Sequence, residues 1–304
     1  MEKINFLSET FKEKAFSNKI KFINHLKNIK SVYIFKKIIG NIPFNKALNI
    51  IRYNKHIQKK LNVNINDFIK ESVIEIELIP FKKKYGEFIN IVNKEQTCFY
   101  HIYFNNNQDE IQRTIITEKD EVNKIKIIIN YQVTSFYQLF AYCECIESIN
   151  FINFQRKNIT NTSFMFYKCS SLKEINFYNF KTDNVDDMRC MFYDCLSLEK
   201  LNLSKFNTEN VKNMSYMFSR CSSLKEIYIA NNFNTEFVIN MTEMFSGCSS
   251  LEHIDVSNFT IEDECIIDLM FKKCLEELKN KVRLQNKYIR NRYNFDYDLF
   301  FENN

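Results

Sequence analysis

Met191-Phe192-Tyr193-Asp194-Cys195-Leu196-Ser197-Leu198-Glu199-Lys200-Leu201-Asn202-Leu203, followed by Phe206-Asn207-Thr208-Glu209-Asn210-Val211-Lys212-Asn213-Met214, is one period of a pattern that fills the middle of the chain. The Met-Phe pair returns at Met165-Phe166, Met217-Phe218, Met244-Phe245 and Met270-Phe271, with Leu139-Phe140 in front. A cysteine follows each pair, at Cys143, Cys169, Cys195, Cys221, Cys248 and Cys274, with steps of 26, 26, 26, 27 and 26. Three residues after five of these cysteines stands Ile146, Leu172, Leu198, Leu224 or Leu251. A fixed period of this length marks stacked units, each too small to bury a face alone.

Each period changes character once. Leu198-Glu199-Lys200-Leu201-Asn202-Leu203 alternates as a strand with one buried face. Val185, Met188, Met191, Phe192 and Cys195 recur at steps of three and four, which predicts one face of a short helix. Asn207-Thr208-Glu209-Asn210 reads as the turn between them, with asparagine in glycine's place. The expected fold class is therefore α/β: a solenoid of about 26-residue units with a parallel sheet on one side. The cysteine column reads as core, because free cysteine packs as a small hydrophobe. A zinc site draws about four ligands to one point, whereas a ladder spreads its members along an axis. Cys98, Cys145, Cys190 and Cys265 lie off the column and form no cluster in sequence.

The motif MFxxCSSLKEIxF, continued by NF-x-T-x-NV-x-NM, resembles BspA-like leucine-rich repeats, which occur in bacterial surface proteins, mycoplasma lipoproteins and large protist families. Four clear copies lie between residues 165 and 260, with a degenerate one on each side. The resemblance implies a leucine-rich-repeat solenoid, a protein-binding scaffold, and no enzymatic activity. It also implies that the outward strand positions form the binding face: Asn150; Glu174, Asn176 and Tyr178; Lys200 and Asn202; Glu226 and Tyr228; His253 and Asp255. Surface members of the family carry secretion signals. Here Met1-Glu2-Lys3-Ile4-Asn5-Phe6-Leu7-Ser8-Glu9 places charges where a signal needs an apolar run. The expected setting is intracellular, in the cytoplasm, and a surface-adhesin role is the less favoured alternative.

Outside the repeats, residues 1–70 read as helical. Ile23, Leu26, Ile34, Ile38 and Ile42 fit one amphipathic run, and Leu48, Ile51, Ile57 and Leu61 fit another. Their spacing resembles an F-box, without the usual Leu-Pro start or the tryptophan near position 56. An F-box would dock on the adaptor subunit of a ubiquitin ligase, with the repeats selecting substrate; the alternative is a helical cap on the solenoid. Residues 71–124 read as a small β region, through the alternation of Val73–Ile79 and Cys98–Phe104. The solenoid is expected over 125–274, entered at Ile125-Lys126-Ile127-Ile128-Ile129, and residues 275–304 as a capping helix and tail.

Composition excludes several chemistries. The 304 residues include three glycines (Gly40, Gly86, Gly247) and two prolines (Pro43, Pro80). A Walker loop or a dinucleotide fingerprint needs glycines a few residues apart, so neither can be built. No stretch approaches the ~18 apolar residues of a membrane span. The net charge of +5 conceals 15 Lys/Arg against 4 acids in residues 1–70. Those lysines alternate with apolar residues at helical spacing, so they read as solvated helix faces, and nucleic acid is a disfavoured partner. No catalytic, cofactor or metal constellation is visible. The expected role is a non-enzymatic scaffold that binds a protein partner, with the ubiquitin-ligase adaptor as its alternative.

Overall fold

Strict alternation builds the first sheet. Ile74, Ile76 and Leu78 turn inward from β1 (Ile74–Pro80), as do Ile125, Ile127 and Ile129 from β5 (Ile125–Ile129), and all six are fully buried. In this computed structural model residues 55–61, 73–130, 133–154, 157–230 and 232–295 are described. The chain divides into two units, Met1–Ser72 and Val73–Asn304. Of the first, the described part is one helix, α1 (Lys55–Leu61), on which Ile57 is buried. The remainder of the F-box-like segment lies outside the described residues.

The second unit carries a five-stranded mixed sheet in the order β3-β5-β1-β6-β7, with β3 at Tyr100–Phe104, β6 at Ile146–Phe154 and β7 at Glu174–Asn176. β1 runs antiparallel between β5 and β6, placing Ile76 opposite both Ile127 and Phe151. β6 and β7 are parallel. A parallel pair, β8 (Lys200–Asn202) and β9 (Glu226–Tyr228), and a short antiparallel pair, β2 (Gly86–Glu87) and β4 (Ile115–Ile116), complete the strands. Two helices follow, α2 (Glu276–Gln285) and α3 (Lys287–Arg292).

This overturns the expected α/β leucine-rich-repeat solenoid. The fold is mixed, rich in sheet and poor in helix, and its strands form three separate sheets instead of one continuous parallel one. Ile125–Ile129 does not begin the repeat sheet, because β1 intervenes between it and β6. The spacing of Val185, Met188, Met191, Phe192 and Cys195 is not helical either. It comes from overlapping turns in which Met191, Tyr193 and Cys195 donate N–H bonds three residues back, to Met188, Cys190 and Phe192. The intervening residues Met188, Cys190, Phe192 and Asp194 donate instead to Asn213, Ser215, Met217 and Ser219 of the next period. Every second amide thus joins neighbouring periods, and buried side chains fall at spacings of three and four as they would on a helix.

Two residues per period sit in the left-handed region to make these turns: Cys190 and Asp194 at φ 53° and 63°, Tyr216 and Arg220 at 58° and 64°, Phe164 and Lys168 both at 58°. Gly247, at φ 75°, holds the same place as Lys168, Asp194 and Arg220. The left-handed turns therefore belong to these residues, and the asparagines of the Asn-Thr-x-Asn turn serve otherwise. Asn184 and Asn210 donate side-chain bonds to the carbonyls of Lys157 and Asp183, 2.7 and 2.6 Å away in the preceding period. Buried Thr182, Thr208 and Thr235 donate in the other direction, to Asn207, Asn234 and Thr260.

The core is a set of columns. Phe140, Phe166, Phe192, Phe218, Phe245 and Phe271 stack with ring centroids 5.3–5.7 Å apart and planes within 12°. Beside them each cysteine donates its thiol to a carbonyl of the preceding period. Cys169, Cys195, Cys221, Cys248 and Cys274 bond the oxygens of Phe140, Phe166, Phe192, Phe218 and Phe245 at 2.9–3.1 Å. At the start, Phe81 and Asn90 donate to the carbonyls of Cys145 and Leu139, so the segment after β1 covers the first period. At the end, the Phe271 amide donates to the phenol oxygen of Tyr293 at 3.0 Å, whereas Phe245 donates to Met270 of a following period. Arg292 donates to the carbonyls of Glu262, Asp263 and Cys265, and Asn286 to those of Val256 and Phe259.

Candidate interaction face

The side of the strands away from the core carries the sequence-predicted binding residues, and short strands decide how far each stands out. In β7, β8 and β9 only the central residue is buried, so Glu174 and Asn176, Lys200 and Asn202, and Tyr228 are exposed, with Glu226 half-buried. The parallel register sets Asn150 beside Asn176 and Asn202 beside Tyr228. A single bridge, Glu226 to His253, continues the series.

These residues separate into two kinds. Asn176, Asn202 and Asp255 each accept a backbone N–H two residues on, from Tyr178, Ser204 and Ser257 at 2.9–3.0 Å. Such a bond ends the strand by turning the chain, so this column is part of the architecture. Asn150 lies within the nine-residue β6, paired with Glu77 on one side and Asn176 on the other. Tyr228 interrupts the column, since its phenol donates to Glu226 at 2.7 Å and leaves the ring half exposed. Tyr178 is 72% exposed.

Charge on the face alternates from period to period. Lys173 pairs with Glu147 at 2.8 Å, Lys225 with Glu199 at 2.9 Å, and Lys200 with Glu226 at 2.8 Å. Pairing with Glu226 raises the Lys200 ammonium pKa, and bonds from Lys200 and Tyr228 lower that of the Glu226 carboxyl. Bonds from Ser257 likewise lower Asp255. Between this end of the face and α2 lies an open groove of about 550 Å³, lined by Tyr228, Ile229, Glu252, His253, Asp255, Lys281 and Gln285 among others.

Two parts of this arrangement escaped the sequence. Lys281 and Gln285 reach the groove from α2, which periodicity identifies as a cap with no pointer to its polar side. The face also extends through β1, β3 and β5, where Glu75, Glu77, Tyr103 and Lys126 point outward, with Lys126–Glu75 at 2.7 Å and Lys124–Glu77 at 2.9 Å. The alternating strands were legible; their joining of the repeat strand β6 through β1 was not.

The thiols make no competing site. No disulfide joins the cysteines, and burial pushes Cys145, Cys190 and Cys265 up to about 11 and Cys143, Cys169, Cys195 and Cys248 of the column higher still. Among the described residues no cluster of three His, Cys, Asp or Glu side chains could hold a metal ion, and no helix is long and apolar enough to cross a membrane.

Stacked periods with a polar, tyrosine-bearing outer face, joined to a mixed sheet at one end and closed by two helices at the other, define a repeat protein. Comparison gives its family: the one described as "Mycoplasma protein of unknown function, DUF285" matches residues 134–230 and 227–295, just over half of the chain, and the protein belongs to it. No curated protein and no solved structure gives a significant match.

Proposed function

We propose that this protein is a non-enzymatic scaffold that binds a protein partner through the outer face running from β6 to the period of His253 and Asp255. The observation that carries the reading is the pair of tyrosines, Tyr178 at 72% and Tyr228 at 51% exposure, raised on a buried core of stacked phenylalanines. Tyrosine combines a large apolar ring with a polar tip and is enriched at protein interfaces. The BspA-like character of the repeat rests on its motif and is part of the same proposal. So is a cytoplasmic setting, which agrees with cysteines that form no disulfide. The test is affinity capture with the native protein and with Tyr178→Ser/Tyr228→Ser, followed by identification of the bound proteins. Loss of a specific protein from the double variant supports the reading; an unchanged bound set refutes it.

A further inference from the structure

The charge register of the outer face selects the chemistry of the partner. One column reads Glu147, Lys173, Glu199, Lys225, Glu252 along successive periods. The first four residues neutralise one another in two ion pairs. Glu252, the fifth, stands where the alternation calls for a following cation, and the one pairing it makes among the described residues is a 4.0 Å approach to the His253 imidazole, which carries charge only when protonated. Asp255, in the same period, accepts the Ser257 N–H, and no Lys or Arg pairs with it among the described residues. The cations nearby are already committed: Lys200 to Glu226, and Lys281 to Glu277 at 2.8 Å. The spare charge of the groove between β9 and α2 is therefore negative, and Tyr228 supplies an aromatic wall beside it.

We propose, building on the function above, that this groove receives an arginine or lysine side chain from a basic segment of the protein partner. The cation would sit against the Glu252 and Asp255 carboxylates and the Tyr228 ring, an arrangement that combines charge pairing with cation–π attraction. Its methylene stem would lie along Ile229 and Ile254, which also line the groove. Nucleic acid and acidic peptides are repelled by the same charges.

The probe is a fluorescein-labelled hexa-arginine peptide, with binding to the full chain followed by fluorescence polarisation. Glu252→Gln/Asp255→Asn keeps the shape of both side chains and is expected to weaken binding about tenfold, roughly the worth of one charge-assisted contact. Glu209→Gln/Glu264→Gln removes the same formal charge from exposed sites elsewhere and is expected to change it less than about twofold. Equal losses in the two variants, or no binding by the native protein, overturn the proposal. A selection of displayed random dodecapeptides, counter-selected on Tyr178→Ser/Tyr228→Ser, separates this inference from the function beneath it. Basic sequences support both. Acidic or apolar sequences that depend on the tyrosines overturn the basic-segment inference and leave the binding function standing. If no face-dependent sequence emerges, both fall.

Discussion

Replacing Cys195 by alanine isolates what the cysteine column contributes. The side chain is fully buried, and its thiol donates to the Phe166 carbonyl at 3.1 Å. That carbonyl also accepts the Cys169 N–H at 3.1 Å, so removing the thiol leaves no orphaned acceptor. The loss is then a packing loss. Taking a group about the size of a methylene out of the core forfeits about 0.8 kcal/mol of burial. A void of about 20 Å³ at about 24 cal/mol per Å³ adds about 0.5 kcal/mol. The expected cost is about 1.3 kcal/mol. It is measured as a lowered urea midpoint at unchanged slope, and equals a fall of about 3–5 °C in Tm for a unit of this size. Cys195→Ser keeps a donor but is shorter and more polar, so it should cost at least as much. A loss below about 0.3 kcal/mol for alanine, or stoichiometric zinc released on unfolding, would falsify the packing account.

Four further outcomes follow from the structure. Tyr293→Phe removes only the phenol oxygen that accepts the buried Phe271 amide, and should cost about 1–3 kcal/mol, with the Phe271 amide exchanging hydrogen faster than in the native protein. Gly247→Ala meets Arg220 at an ordinary 3.4 Å but must hold φ 75°; urea titration should show a loss of about 1 kcal/mol, and an unchanged midpoint would contradict the left-handed turn. Ellman's reagent should modify one thiol quickly in the native protein, Cys98, which alone is exposed, and all ten after denaturation. Bonds from Arg113 and Thr117 lower the Asp120 pKa below its ordinary value. That group therefore adds stability above its unfolded pKa of about 4, lost as pH falls below it; Asp120→Asn should flatten the acid limb of stability, and an unaltered limb would count against the cluster.

Much of the core was legible in the sequence, because its signal is a repeated identity. Met, Phe and Cys return at a fixed step, and the structure buries all three, with the phenylalanine rings stacked on one another. The shape of the turn half was not legible. Residues joined alternately by local turns and by bonds between periods bury side chains at spacings of three and four, so Val185 to Cys195 imitates a helix. Glycine would have marked the left-handed positions, yet Lys168, Asp194 and Arg220 occupy them and leave no cue. The antiparallel entry was hidden for a different reason: alternation in Ile74–Ile79 fixes which side is buried, but not which strand lies alongside. On the outer face, Asn176, Asn202 and Asp255 serve as turn formers, a role visible only in their hydrogen bonds.

The phenol of Tyr293 occupies the place of a carbonyl that a further period would provide. Each junction between periods uses the same alternation of amides and carbonyls, so neither end of the array senses how many copies lie between. The length of the outer face is consequently an independent variable of this architecture. Inserting or deleting one whole copy would leave both terminators as they are and lengthen or shorten the outer face by one strand spacing, about 4.8 Å.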